Sequence, residues 1–249
     1  MKNLLLILAL FGLTSMTTGC DNYRRMLGLG KKSNASIPGN ANLPIIIVAG
    51  QSNAVGLGQD SPSPISNQII WKGRDIPRGI GVSFAEAYLR DTNQPQIIVA
   101  QCSVGSTSIH EWQGHLVGEC VEIVKQIQIE HPSAVPAVIL FWQGERDARG
   151  PGVPWGSLFT SVIQGMRRNL GYKNLPVVFA QLNNCTALSN PYPNWLDIKL
   201  EQAAVNIELV QMIKTDDIND LALDGVHVKG NGLYLIGQRM HQAYIGLIN

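Results

Sequence analysis

Charge is scarce in this 249-residue chain, and neither sign dominates. Only 15% of residues are charged, with 19 Lys and Arg against 18 Asp and Glu. That balance excludes the basic footprint of a nucleic-acid-binding surface. Charge runs and low-complexity tracts are also missing, and 45% of residues are hydrophobic, so most of the chain has the material for a large core. No heptad, glycine period or internal repeat is present, which excludes coiled coil, collagen and repeat arrays. Cysteine is limited to four residues without a C-x-x-C pair or a Cys/His cluster at zinc spacing, so a structural metal is not expected. Nor is any apolar run as long as the ~20 residues a bilayer-spanning helix requires.

The longest apolar run is Leu4 to Leu13, preceded by Lys2 and followed by small residues from Thr14 to Gly19. This pattern reads as a secretory signal over residues 1–19. Thr17-Thr18-Gly19-Cys20 is similar to a bacterial lipobox, with Thr17 where Leu is usual. Two outcomes follow: Cys20 is lipidated and becomes the new N-terminus, or cleavage is ordinary and Cys20 is a stray thiol. With Lys2 removed, basic and acidic residues balance at 18 each. Asp21 to Asn42 is rich in Asn, Ser, Gly and Lys and has no apolar period, so residues 20–42 read as a lipidation site and tether. The expected location is outside a bacterial cytoplasm, held to a membrane through the lipid alone. Export permits disulfides among Cys102, Cys120 and Cys185, with one thiol left over.

Residues 43–249 read as one folded domain. Leu43 to Ala49 is continuously apolar and β-branched, as a strand buried on both faces must be. Further strands are expected at Gln96 to Ala100, Ala137 to Trp142, Pro176 to Leu182 and Glu208 to Ile213. Helical patterns fall at Val82 to Arg90, Gly118 to Glu130, Trp155 to Leu170, Trp195 to Ile207 and Gly232 to Ile248. Alternation at this spacing predicts an α/β fold, a three-layer α/β/α sandwich around a parallel sheet. Working residues in such folds lie on loops beyond the carboxyl ends of the strands.

Three of those loops carry unusual residues: Gly50-Gln51-Ser52-Asn53-Ala54, Trp142-Gln143-Gly144-Glu145, and Asp224-Gly225-Val226-His227. A hydroxyl is a poor nucleophile at neutral pH. It needs a base to take its proton, and the base needs a partner that fixes its tautomer. Ser52 can be the nucleophile, His227 the base and Asp224 its partner. Taken singly, Ser52 also fits a helix N-cap, and Asp224 with His227 fits a solvated turn or two metal ligands. The serine lies after the first strand, and the acid and histidine share one loop. Both features set the chain apart from α/β-hydrolases with their G-x-S-x-G elbow.

In these blocks the chain resembles the SGNH/GDSL hydrolases, and within them the branch of sialate O-acetylesterases and carbohydrate-esterase family six. That branch carries G-Q-S-N, V-G-G-T, W-x-Q-G-E and D-x-x-H in order. Here they are Gly50-Gln51-Ser52-Asn53, Val104-Gly105-Ser106-Thr107, Trp142-Gln143-Gly144-Glu145 and Asp224 to His227, within a resemblance spanning about residues 43 to 246. The resemblance implies a flavodoxin-like five-stranded sheet and ester hydrolysis through an acyl-enzyme, without cofactor or metal. It also implies an oxyanion hole formed by the backbone amides of Ser52 and Gly105 and the side chain of Gln143. Ser106 departs from the pattern, standing where the branch has glycine, and would be strained if that position needs positive φ.

Other polar residues have two readings each. Glu145 and Asp147 either bond loop amides behind the site or belong to a solvated turn. Asn53 braces the nucleophile loop or caps the next helix. Trp112 is a sugar platform or a core residue, and His110, His115, His131 and His241 read as surface residues. The expected activity is removal of O-acetyl groups from acetylated sialic acid or an acetylated polysaccharide. A lipase or thioesterase on the same fold, and a non-catalytic glycan-binding lipoprotein, are the alternatives.

Overall fold

A computed structural model of the chain describes residues 42–64, 66–184 and 191–249. The signal segment, Cys20, all but the last residue of the tether, and Cys185 lie outside the described residues.

The most apolar segment of the domain forms its central strand. In β1 (Leu43–Gly50) every residue from Ile45 to Ala49 is fully buried. Alternate side chains enter opposite layers, because successive strand residues point to opposite faces. Ile45, Ile47 and Ala49 join one core cluster, and Ile46 and Val48 join the other.

After β1 the chain forms a single-turn helix, α1 (Ser52–Val55), then β2 (Ile69–Gly73), α2 (Ile80–Thr92) and β3 (Ile97–Gln101). Next come a short α3 (Ile109–Glu111), a π-helical turn (Trp112–Leu116), α4 (Val117–Glu130) and β4 (Ala134–Trp142). A 3₁₀ turn (Asp147–Arg149) precedes α5 (Trp155–Leu170), β5 (Val177–Ala180), α6 (Trp195–Ala203), β6 (Val210–Ile213) and α7 (Gly230–Ile248). All sheet pairings are parallel, in the order β2-β3-β1-β4-β5-β6. Side chains of α4 and α5 fill one core layer. Those of α2 and α7 fill the other.

The sheet has six strands where five were expected. The extra strand, β2, is at the edge, and most of it is only half-buried. Its apolar run is three residues, Ile69-Ile70-Trp71, too short to produce a legible period. The remaining five strands stand in the flavodoxin-like order, whose switch point falls beside the central strand. That is where β1 and β4 meet. Their ends touch: Gln51 N–H donates to Trp142 O at 2.9 Å. Gly50 has φ 124°, and a Cβ there would lie 2.0 Å from Trp142 O, so only glycine permits this approach.

Two side-chain placements differ from expectation. Trp112 is fully buried, packed edge-on against Phe141 at 5.4 Å between ring centroids, and is not a sugar platform. His241 is also fully buried, in ring contact with Phe84 at 5.4 Å. It lies on the inward face of α7, which a single histidine in a long apolar helix does not reveal.

A disulfide joins Cys102 to Cys120. It ties the segment after β3 to α4, a few residues ahead of Gly105.

Candidate active site

The three unusual loops converge at the carboxyl edge of the sheet. Gln51, Ser52, Ser106, Glu145, Arg146, Arg149, Tyr192, Val226 and His227 enclose a cavity of about 110 Å3. Ser52 opens α1, where the first backbone N–H groups of a helix have no intrahelical acceptor, and its residue surface is 6% exposed. No side chain caps that helix, so Ser52 is free of the N-cap role.

His227 and Asp224 interact as their spacing suggests. His227 Nδ1 lies 2.5 Å from Asp224 Oδ2, and Asp224 Oδ1 accepts the N–H groups of Val226 at 2.9 Å and His227 at 3.0 Å. Burial pushes the Asp224 carboxyl up, but the bonds from the His227 ring and these amides outweigh it and hold it below its ordinary value. The loop closes on Gly225 at φ 69° and on Ala222 N–H to His227 O at 2.7 Å.

Asn53 is a brace rather than a cap. Its Nδ2 donates to Glu145 Oε1 at 2.6 Å and approaches Val226 O at 3.3 Å, while Oδ1 accepts Val228 N–H at 2.9 Å. It therefore grips the chain on both sides of His227. Asn183, after β5, supports the same carbonyl: its Nδ2 donates to Val226 O at 2.9 Å. Nothing in the sequence singles out Asn183, because its partner is 43 residues away.

Glu145 is buried, which raises its pKa; the Asn53 bond and the nearby His227 act in the opposite direction. Asp147 is buried too and is raised for the same reason, opposed by its bond from Gln143. It accepts the Ile109 N–H at 3.2 and 3.0 Å. Neither carboxylate belongs to a solvated turn.

Gln143 departs from the expectation of an amide free to meet an oxyanion. It is fully buried and does not line the cavity. Its Nε2 donates to Asp147 Oδ2 and to Thr107 O at 3.0 Å, and lies 3.3 Å from Gln51 Oε1; its Oε1 accepts Trp155 Nε1 at 2.8 Å. Two amide hydrogens thus already face three acceptors. Gly105 is half-buried beside Leu57, and the neighbouring Ser106 faces the cavity at φ 61°. The strained backbone that a serine would suffer here is present.

This arrangement coincides with a family match. Residues 62–246 fit the profile of a family described as "carbohydrate esterase, sialic acid-specific acetylesterase". The chain belongs to this family. It is accordingly a carbohydrate esterase, a hydrolase acting on acetyl esters. The matched span begins after Ser52 and includes Gly105, Gln143, Glu145, Asp224 and His227.

Solved structures share the esterase's fold. A protein from Arabidopsis thaliana superposes with a TM-score of 0.69 at 20% identity, over 84% of this chain and 100% of that one. NanS gives 0.65 at 14%, over 83% and 97%. An acetyl xylan esterase from Geobacillus stearothermophilus gives 0.54 at 13%, over 84% and 97%. No curated protein matches the esterase by sequence.

Arg149 and Tyr192 are the part of the site that carries no motif. The Arg149 guanidinium stacks over the Tyr192 ring at 4.6 Å from its centroid, and Nη2 donates to the tyrosine hydroxyl at 2.5 Å. Arg146 lines the same cavity. Among the described residues, no group of three or more His, Cys, Asp or Glu is placed to hold a metal ion.

Proposed function

We propose that the protein removes O-acetyl groups from an acidic sugar, with Ser52 as nucleophile, His227 as base and Asp224 as its partner. The observation that carries this reading is that Ser52 and the Asp224-bonded His227 line one small cavity. Ser52 Oγ attacks the acetyl carbonyl as His227 takes its proton, and Asp224 supports the imidazolium. The sugar alcohol leaves with that proton as its ester bond breaks. Water, deprotonated by His227, then attacks the acyl-enzyme; acetate departs and Ser52 regains its proton.

The developing oxyanion needs donors fixed in advance. The backbone amide of Ser52, at a helix start, and that of Gly105, on the loop anchored by the disulfide, fill this role. Gln143 would join them on releasing one of its present acceptors. It otherwise holds the loops of Thr107, Asp147 and Gln51 in register.

Cavity size and charge support the substrate class. About 110 Å3 is well under the roughly 300 Å3 at which sites for larger ligands begin, which suits acetyl. Arg146 and Arg149 suit a carboxylate on the sugar, such as that of sialic acid, over a neutral polysaccharide. The Cys102–Cys120 disulfide supports an exported protein, in keeping with a signal at residues 1–19 and lipid attachment at Cys20. Mass spectrometry of the mature N-terminus tests that attachment.

Hydrolysis of p-nitrophenyl acetate by Ser52→Ala and His227→Ala variants tests the chemistry. Both should lose at least a thousandfold in kcat while retaining their melting temperatures. A Ser52→Ala enzyme with wild-type activity overturns the reading.

A further inference from the structure

Glu145 is buried, yet only one of its carboxylate oxygens has a partner. Oε1 accepts from Asn53, and Oε2 has no hydrogen-bond partner among the described residues, although the residue lines the cavity alongside His227. A buried carboxylate oxygen left unmatched destabilises the fold, and such groups call for an explanation in function. Asp224, the partner within the His227 loop, has a side chain about half exposed, at 48%. Water therefore screens much of its charge. The better-enclosed carboxyl lining the cavity with His227 is that of Glu145.

We propose that Glu145 is a positioning residue for the base, supporting through space the positive charge that forms on His227 when Ser52 is deprotonated. The proposal rests on the reading of Ser52 as nucleophile and His227 as base. In the step concerned, the Ser52 proton moves to the free nitrogen of His227, while Nδ1 keeps its bond to Asp224. Glu145 exchanges no proton and breaks no bond; its charge matches one that exists only part-way through the reaction. Differential support of this kind raises kcat without tightening substrate binding.

The influence runs both ways. Burial pushes the Glu145 carboxyl up and a positive His227 draws it down. Asp147 lies on the same loop and opposes ionisation of Glu145. Arg146 and Arg149 face the same cavity, and Asp224 meets the imidazole at Nδ1. Asn53 sets the distance, since it bonds Glu145 with one end and Val228 with the other.

Glu145→Gln keeps the shape and the bond from Asn53 while removing the charge. The full-length enzyme with this change should lose at least tenfold in kcat on p-nitrophenyl acetate. KM should stay within about twofold, the melting temperature should equal or exceed that of wild type, and the acid limb of the kcat/KM profile should move to lower pH. Glu145→Asp, which restores a carboxylate, should recover part of the kcat that Glu145→Gln loses. An unchanged kcat overturns the proposal. So does a reduced kcat with an unmoved acid limb and a lowered melting temperature, which marks a purely structural role. If Ser52→Ala is dead while Glu145→Gln is normal, only this proposal falls; if Ser52→Ala is active, the reading beneath it falls.

Discussion

Asn53 Oδ1 accepts the backbone N–H of Val228 at 2.9 Å across 175 residues of sequence, and so locks the turn carrying Ser52 to the loop carrying His227. The residue next to Ser52 thereby sets the height of His227. Asn53→Ala leaves the Val228 amide and Glu145 unpaired in a buried setting, at roughly 1–3 kcal/mol for each orphaned group. The expected result is a melting temperature lowered by several degrees together with a kcat loss of at least tenfold. Asn53→Asp should restore only the acceptor for Val228, and it sets a carboxylate against Glu145. Differential scanning calorimetry and initial rates on p-nitrophenyl acetate read both effects.

On the proposed roles, Asp224→Asn should reduce kcat less than His227→Ala does, because it removes orientation and charge support and leaves the proton acceptor in place. In serine hydrolases the loss of the acid can still reach ~10⁴. The variant also changes acid sensitivity. The folded-state pKa of Asp224 is depressed, so its contribution to stability is present above the unfolded carboxyl value of ~3.9 and is lost as pH falls through the folded value. Unfolding followed from pH 5 to pH 2 should show a shallower loss for Asp224→Asn than for wild type.

Cys102 and Cys120, 18 residues apart, restrict the unfolded chain by about 3 kcal/mol in the chain-entropy view. The double variant Cys102→Ser/Cys120→Ser should therefore melt about 6–12 °C lower. It should also lose activity at temperatures well below melting, because the loop of Gly105 follows directly from Cys102. Activity that tracks wild type up to the lowered melting point would show that the bond stabilises the fold without shaping the loop.

Acyl length separates an acetylesterase from a lipase. Each extra methylene that finds an apolar site contributes about 0.8 kcal/mol, so a lipase improves as chains lengthen. The cavity beside Ser52 is small, and Gln51, Glu145 and two arginines line it beside Val226 and Tyr192. Values of kcat/KM should fall from acetate through butyrate to octanoate. A tenfold preference for octanoate would point to a lipase or thioesterase.

The helix over Trp155–Leu170 has the bounds that its apolar period predicts, and α4 begins one residue earlier than expected. The central strands are equally legible, since a strand buried on both faces can be written only in apolar, β-branched residues. The His227–Asp224 contact was visible too, because both residues share a loop. Contacts across longer spans were not. Arg149 meets Tyr192, Asn53 reaches Glu145, and Cys102 chooses Cys120 over Cys185 only once the strand ends have converged. The same convergence buries Trp112 and His241 and commits the amide of Gln143 to Asp147. Periodicity and turn chemistry are local properties of the chain, and so the sequence by itself determined the layers and the residue types on each loop at the sheet's carboxyl edge, while the flavodoxin-like strand order followed from the family resemblance. Which side chains on those loops touch, and which are left unpaired, was decided by the packing of the sheet's carboxyl edge, where residues far apart in sequence compete for the same few donors and acceptors.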